Sequence, residues 1–189
     1  MDFEVIFIAG PQGSGKGTQG KKLADKLGFL FWGMGGTLRA ISQEGTPLAE
    51  KIAVMEDGTL ISDDVIIEVL RERLPYVPRE MGIVFDGVPR TAAQAGFLIP
   101  FLRGEGRRKM ATVFLDLPRG ESVKRLLLRA RKEARADDTP EGIEKRFRYY
   151  DEMMAPTIAY LKKETTFLDI DGRPSVEEIA GNINTALGV

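Results

Sequence analysis

The sequence predicts an α/β protein: a five-stranded parallel sheet flanked by helices. Three observations carry that expectation. Apolar, β-branched runs recur at "VIFIA" (5–9), "FLFW" (29–32), "GIVFD" (82–86), "ATVFLDL" (111–117) and "TTFLDI" (165–170), with the length and makeup of buried strands. Helix-like segments separate them: Lys16 to Leu27, Asp63 to Leu74, Thr91 to Arg103, Glu121 to Ala134, Glu141 to Lys163 and Val176 to Leu187. Local start signals agree, with a capping box from Ser175 to Glu178 and an N-cap at Thr139 before Pro140. Strands alternating with helices imply right-handed crossovers and helices on both faces. Ligands of such sheets bind beyond the carboxyl ends of the strands.

Two segments break the alternation. Residues 33–61 part the second and third strands with only helical or turn character. Residues 129–138, "RARKEARADD", interrupt a helical stretch with dense charge. Each reads either as an excursion from the core or as plain surface.

Composition narrows the chemistry. The 189 residues suffice for one well-buried domain. Lys and Arg number 27 against 28 Asp and Glu, without the basic excess of a nucleic-acid binder. Cysteine and histidine are both absent. Thiolate metal sites, disulfides and the commonest general base are therefore excluded. The start, "MDFEV", lacks a leader-like pattern and no apolar run is long enough for a membrane span. A soluble cytoplasmic monomer without membrane or nucleic-acid partners is the expectation.

Directly after the first strand stands "AGPQGSGKGTQG" (9–20). Gly10 to Lys16 matches G-x-x-x-x-G-K, and a hydroxyl follows at Thr18 rather than at Gly17. Glycines let backbone N–H groups converge on phosphate oxygens. The helix beginning near Lys16 points its N-terminus at the same anion, and Lys16 reaches the outer phosphates. The loop makes the sheet a P-loop core. Asp86, ending the third strand, suits Mg²⁺ directly or through its water, with Thr18 a further candidate; a turn aspartate in "DG" is the bland alternative.

Phosphoryl transfer depends on positioning and cations more than on covalent chemistry. Arginines stand at Arg39, Arg90, Arg125, Arg129, Arg131, Arg135 and Arg146, among others. An acceptor hydroxyl wants a base, and no histidine is available. An acceptor phosphate is already ionised, its second pKa being about 6, but it repels the incoming group and needs arginines. The pattern leans towards phosphate as acceptor.

Three co-linear stretches then carry a resemblance over nearly the whole chain: "GPQGSGKGTQ", "FDGVPRTAAQ" and "RLLLRARKEARADDTPEGIEKRFRYYDEMMAPTIAYL". The sequence resembles the adenylate kinase family of nucleoside monophosphate kinases. The resemblance implies transfer from ATP to AMP with Mg²⁺, a monophosphate-binding excursion at 33–61 and a short lid at 129–138. It implies that Gly13, Ser14, Gly15, Lys16, Gly17 and Thr18 hold the ATP phosphates, with Arg125 on the ATP base and backbone from Gly172 to Pro174 beside it. Arg129 would close on the phosphates from the lid. Arg39 and Arg90 would hold the monophosphate's phosphate. Arg135 and Arg146 would bridge towards the transferring group. Thr59, Leu60, Ile61, Gly87, Val88 and Pro89 would line the monophosphate site, and Gln94 would read the adenine edge. Gln94 also completes a capping-box pattern with Thr91, and Arg125 and Arg146 also suit ordinary helix surface. The lid is brief and cysteine-free, so no zinc is expected.

The chain departs from the family at 33–39. The usual Ser-Thr-Gly-Asp-Leu-Leu-Arg is replaced by "GMGGTLR", so Met34 stands where a threonine would touch the adenine. Methionine packs on rings but donates no hydroxyl hydrogen bond. Ile61-Ser62 likewise replaces Val-Pro. A CMP/UMP or broad-specificity kinase, and an inactive nucleotide-binding module, are the alternatives; a switch GTPase is disfavoured because no N-K-x-D motif is present.

Overall fold

The computed structural model describes residues 3–53, 61–133 and 139–189, with backbone alone for 129–133 and 140. Five strands, β1 (Val5–Ala9), β2 (Leu30–Gly33), β3 (Ile83–Asp86), β4 (Met110–Asp116) and β5 (Thr166–Asp171), form one sheet in the order β2-β3-β1-β4-β5. Every pairing is parallel, for example Phe7 opposite Phe85 and Thr112. The described helices are α1 (Lys16–Leu27), α2 (Met34–Ile41), α3 (Pro47–Ala53), α4 (Asp63–Arg73), α5 (Ala92–Gly104), α6 (Arg119–Glu133), α7 (Pro140–Glu164) and α8 (Val176–Leu187). None of them is long and apolar enough to cross a membrane.

Alternation along β1 explains the two-sided core. Val5 and Phe7 face one layer, with α2 to α5 and Leu161 of α7; Ile6 and Ile8 face the other, with α1 and α8. Each is at most 2% exposed, and burying such a side chain is worth roughly 1.5–3 kcal/mol. A strand covered on both faces has no polar side, which is why the sequence shows uninterrupted apolar runs. A smaller cluster of Leu126, Ile143 and Phe147 ties α6 to α7.

The expected boundaries move by a residue or two, for local reasons. Phe29 and Thr165 do not join strands because their N–H groups cap the preceding helices, donating to Ala24 and Leu161. The sixth helix begins at Arg119 because the Pro118 carbonyl accepts from Glu121 and Ser122. Both predicted caps are present: Ser175 and Glu178 form the reciprocal box, and Thr139 accepts from the Gly142 N–H. The glycines of "GMGGTLR" do not prevent a helix. The second helix starts at Met34 without a side-chain cap, and burial of Met34 and Ile41 overrides the weak propensity.

At the end of the sheet away from the phosphate loop, Glu4 braces the chain. Its carboxylate accepts from the N–H groups of Arg108 (2.7 Å) and Lys109 (3.0 Å) and pairs with Arg79 at 2.9 Å. These partners, the Lys109 N–H foremost, lower its pKa from 4.5 to about 2. The depressed value means stabilisation that is full above pH 4.5 and lost as pH falls through about 2. Glu4→Gln is expected to cost about 1 kcal/mol at pH 7, since the site is partly solvated. Denaturant melts should show the gap to the wild type closing between pH 4.5 and about 2; a pH-independent gap would disprove the assignment.

Candidate active site

All the strands are parallel, so the segments after β1, β2, β3, β4 and β5 share one edge of the sheet. Most sequence-predicted residues lie there. The order around β1 reverses direction, with β3 on one side and β4 on the other, which places a crevice at the end of β1.

The phosphate loop fills that position. Gly10 has φ +139, and a Cβ there would lie 2.5 Å from the Leu115 carbonyl oxygen. Gly13 has φ +79, and a Cβ would meet the Ser122 carbonyl oxygen at 2.9 Å. The loop is thus wedged against the end of β4 and the start of α6, where only glycine fits. Gly15 caps α1 with no side-chain hydrogen bond, so the first-turn N–H groups remain open to an anion. Lys16 folds back over the loop, its Nζ donating to the carbonyl oxygens of Gly10 (2.8 Å) and Pro11 (2.7 Å). Ser14 is fully buried, and among the described residues its Oγ has no hydrogen-bond partner. Thr18 is exposed on the first turn.

Asp86 lies across from this loop, aligned with Ile8 of β1 and Gly33 of β2. A Cβ at Gly17 would sit 3.2 Å from its Oδ2, so the glycine after Lys16 keeps room for the carboxylate. Burial raises the Asp86 pKa, while the charges of Lys16 and Arg90 pull it back down. Among the described residues no group of three or more acidic, His or Cys side chains could hold a metal. A lone carboxylate fits Mg²⁺, which keeps waters and takes substrate phosphates as its other ligands.

The turn Gly87–Arg90 follows β3. Gly87 has φ +80 and packs against Met34 and the Arg90 guanidinium; Val88 and Pro89 are buried. Arg90 is accessible from the cleft. The protein crowded around it lowers its pKa, as does Arg146, while Asp86 and Tyr149 act in the opposite sense; arginine remains charged under such shifts. Arg146 is half-buried on α7, and Arg39 is exposed on the last turn of α2. Met34 is 2% exposed and belongs to the core. Ile61 packs against the same core.

Arg125 is drawn to the loop after β5. Its guanidinium donates to the carbonyl oxygens of Gly172 (2.9 Å) and Arg173 (3.0 Å), and Glu121 steadies it from the preceding turn. The structure therefore joins Arg125 to the Gly172–Pro174 backbone, two features paired at the sequence level only by resemblance. Thr59, Leu60, Arg135 and the side chain of Arg129 lie outside the described residues, as do parts of the 33–61 and 129–138 segments.

The Gln94 capping box forms only by half. Thr91 accepts the Gln94 N–H at 3.1 Å, but Gln94 Oε1 accepts from Arg90 N–H (2.8 Å) and not from the N-cap itself. The reason is Asp63, whose Oδ1 takes the amide nitrogen of Gln94 at 2.7 Å and whose Oδ2 takes the Thr91 hydroxyl at 2.8 Å.

Sequence reasoning missed three neighbours. Asp63 entered the sequence reading only as the first residue of a helix-like segment. Tyr149 lies within electrostatic reach of Asp63 and Arg90; burial first, then Asp63, raises its pKa, and Arg90 opposes. Gln12, a free position in the motif, donates from Nε2 to the Arg146 carbonyl at 3.0 Å and links the phosphate loop to α7. The only available signal was that an amide at position 12 has two polar ends to satisfy.

Known proteins can be set beside this geometry. The family model described as "Adenylate kinase" matches residues 8–166. Proteins named adenylate kinase are similar over almost the full length: one from Thermus thermophilus at 39% identity (98% of this chain, 97% of that protein). Another, from Maricaulis maris, is 38% identical (96% and 97%), and one from Stenotrophomonas maltophilia 36% identical (96% and 98%). With a glycine-built phosphate loop, a strand-end aspartate and arginines on one sheet edge, this chain belongs to the adenylate kinase family, a family of nucleoside monophosphate phosphotransferases.

Proposed function

We propose that the protein transfers the γ-phosphoryl group of ATP reversibly to AMP, giving two ADP. One observation carries the reading. The charges of Lys16 and Arg90 act on the Asp86 carboxylate beside the phosphate loop, and Arg146 lies within electrostatic reach of Arg90, in a chain with no histidine. That is a site for two phosphates and a divalent ion, not for activating a hydroxyl.

In this mechanism the N–H groups of Gly13 to Thr18 hold the ATP phosphates and Lys16 turns from its loop carbonyls to the outer oxygens. Arg39 and Arg90 hold the AMP phosphate in line with the γ-phosphorus. A phosphate oxygen of AMP forms the new P–O bond as the bond to the ADP leaving group breaks; no proton need be removed. Arg129, Arg135 and Arg146 offset charge on the transferring oxygens. Asp86 and Thr18 would hold Mg²⁺, which when bound would supply positive charge at the outer phosphates. Closure of the 33–61 excursion and the 129–138 lid excludes water, so that phosphate accepts the group. Arg125 and the Gly172–Pro174 backbone take the ATP base, and Gln94 the AMP base.

A coupled assay over AMP, CMP, UMP and GMP tests the acceptor. AMP is expected to give the highest kcat/KM. AMP as the poorest of the four would overturn the choice, and no ADP at all from ATP and AMP at high enzyme concentration would indicate a binding module instead.

A further inference from the structure

Gln94 is 2% exposed, and both ends of its amide are committed. Oε1 accepts from the Arg90 N–H, which can only donate. Nε2 donates to Asp63 Oδ1, which as a carboxylate oxygen can only accept. Turning the amide over would set two donors face to face at Arg90 and two acceptors face to face at Asp63. The orientation is therefore fixed by chemistry. Asp63 is itself held from a second side, by the Thr91 hydroxyl at 2.8 Å, and Thr91 in turn accepts the Gln94 main-chain N–H. Tyr149 of α7 lies within electrostatic reach of Asp63, and of Arg90 from the β3 turn.

Among the described residues nothing else meets the amide, so one lone pair of Oε1 and one hydrogen of Nε2 can serve a ligand. An acceptor beside a donor matches an amino group next to a ring nitrogen, as in adenine. A base with a carbonyl in place of the amino group would bring its oxygen against Oε1. A site built for one hydrogen-bond polarity rejects the reverse strongly, because buried groups are left unpaired. We propose that Asp63 is a specificity-determining positioning residue: by holding the Gln94 amide, it selects six-amino over six-oxo purine monophosphates. The proposal rests on Gln94 facing the monophosphate base. It gives polarity selection a source independent of position 34, where methionine cannot supply a hydroxyl.

Asp63→Asn is the informative change. An asparagine can accept from Gln94 and donate to Thr91, or donate to a reversed Gln94 and accept from Thr91. Only the Arg90 N–H then favours one orientation. The experiment measures kcat and KM for AMP, IMP, CMP and UMP at saturating Mg-ATP, in wild type, Asp63→Asn and Gln94→Ala. The AMP/IMP and CMP/UMP ratios of kcat/KM should each fall about tenfold or more in Asp63→Asn, through the monophosphate KM. The AMP/CMP ratio, two bases of like polarity, should hold, as should the KM for ATP titrated separately at saturating AMP. An equal loss for all four acceptors would mean a structural role and sink the proposal. So would wild-type ratios in Asp63→Asn together with collapsed ratios in Gln94→Ala; that pair of results would leave AMP recognition by Gln94 standing. A wild-type enzyme with AMP as its poorest acceptor would instead remove the underlying reading, and the proposal with it. If a thermal melt shows Asp63→Asn unfolded, Asp63→Ser, which removes the acceptor from Gln94, is judged by the same ratios.

Discussion

Lys16→Ala is expected to lower kcat by about 10²–10³-fold or more with the fold intact. Two losses combine. The first is the ammonium that would sit against the outer phosphates. The second is its effect on Asp86: burial raises that carboxylate's pKa, and Lys16 is the larger of the two charges pulling it down. Without Lys16 the Asp86 pKa moves further up, so in the proposed mechanism the Mg²⁺ requirement should rise as pH falls. Stability should change little. The Nζ bonds to Gly10 and Pro11 join loop carbonyls, while the glycine contacts with the Leu115 and Ser122 carbonyls still seat the loop. Steady-state kinetics with a Mg²⁺ titration and a thermal melt check all three statements. Near-normal turnover in the purified variant would remove Lys16 from the site.

How far the molecule was legible in its sequence depends on the range of the interactions involved. β1 and β3 announced themselves because a strand buried on both faces must be apolar throughout, as Val5 to Ile8 are; the edge strands β2 and β5 are only partly buried and showed as short apolar and aromatic runs. Helix starts were legible where the capping group lies within three residues, as at Ser175 and Thr139. The phosphate loop was legible because its glycines serve contacts specified by spacing alone. Local pattern failed where a distant partner outbids a near one. Thr91 and Gln94 spell a capping box, yet Asp63, thirty-one positions away from Gln94, captures the amide nitrogen and re-aims the oxygen. Gln12 is a free letter in the motif, but its partner is a carbonyl on α7, 134 positions on. Arg125 finds Gly172 and Arg173 in the same way. Met34 was read as a substituted base contact; the fold adds that it is a core residue packed beneath the Gly87 turn. Any effect of position 34 on the base therefore reaches the site through the packing of that turn as well as by direct contact.

The same turn carries the second large effect. Arg90→Ala is expected to reduce kcat about 10³-fold, the scale of a transition-state arginine in phosphoryl transfer. Its main chain is held independently of its side chain: the N–H donates to Gln94 Oε1, and Val88 and Pro89 are buried beside it. In the proposed mechanism, removing the guanidinium takes a cation from between two phosphates without releasing the turn, and a thermal melt should move little. The chemical consequence is specific. Two phosphates brought within bonding distance repel each other, and with Arg90 gone the proposed mechanism leaves the load to the other arginines assigned to the phosphates. Asp86 also loses one of its two neutralising charges. Arg90→Lys separates charge from shape: an ammonium restores attraction but cannot fork across two oxygens, so recovery should be partial and appear in the AMP KM before kcat. Full recovery in Arg90→Lys would make Arg90 a point charge only. A kcat within a few-fold of wild type in Arg90→Ala would mean the acceptor phosphate is held elsewhere, and the arrangement of the two phosphates along the strand ends would have to be redrawn.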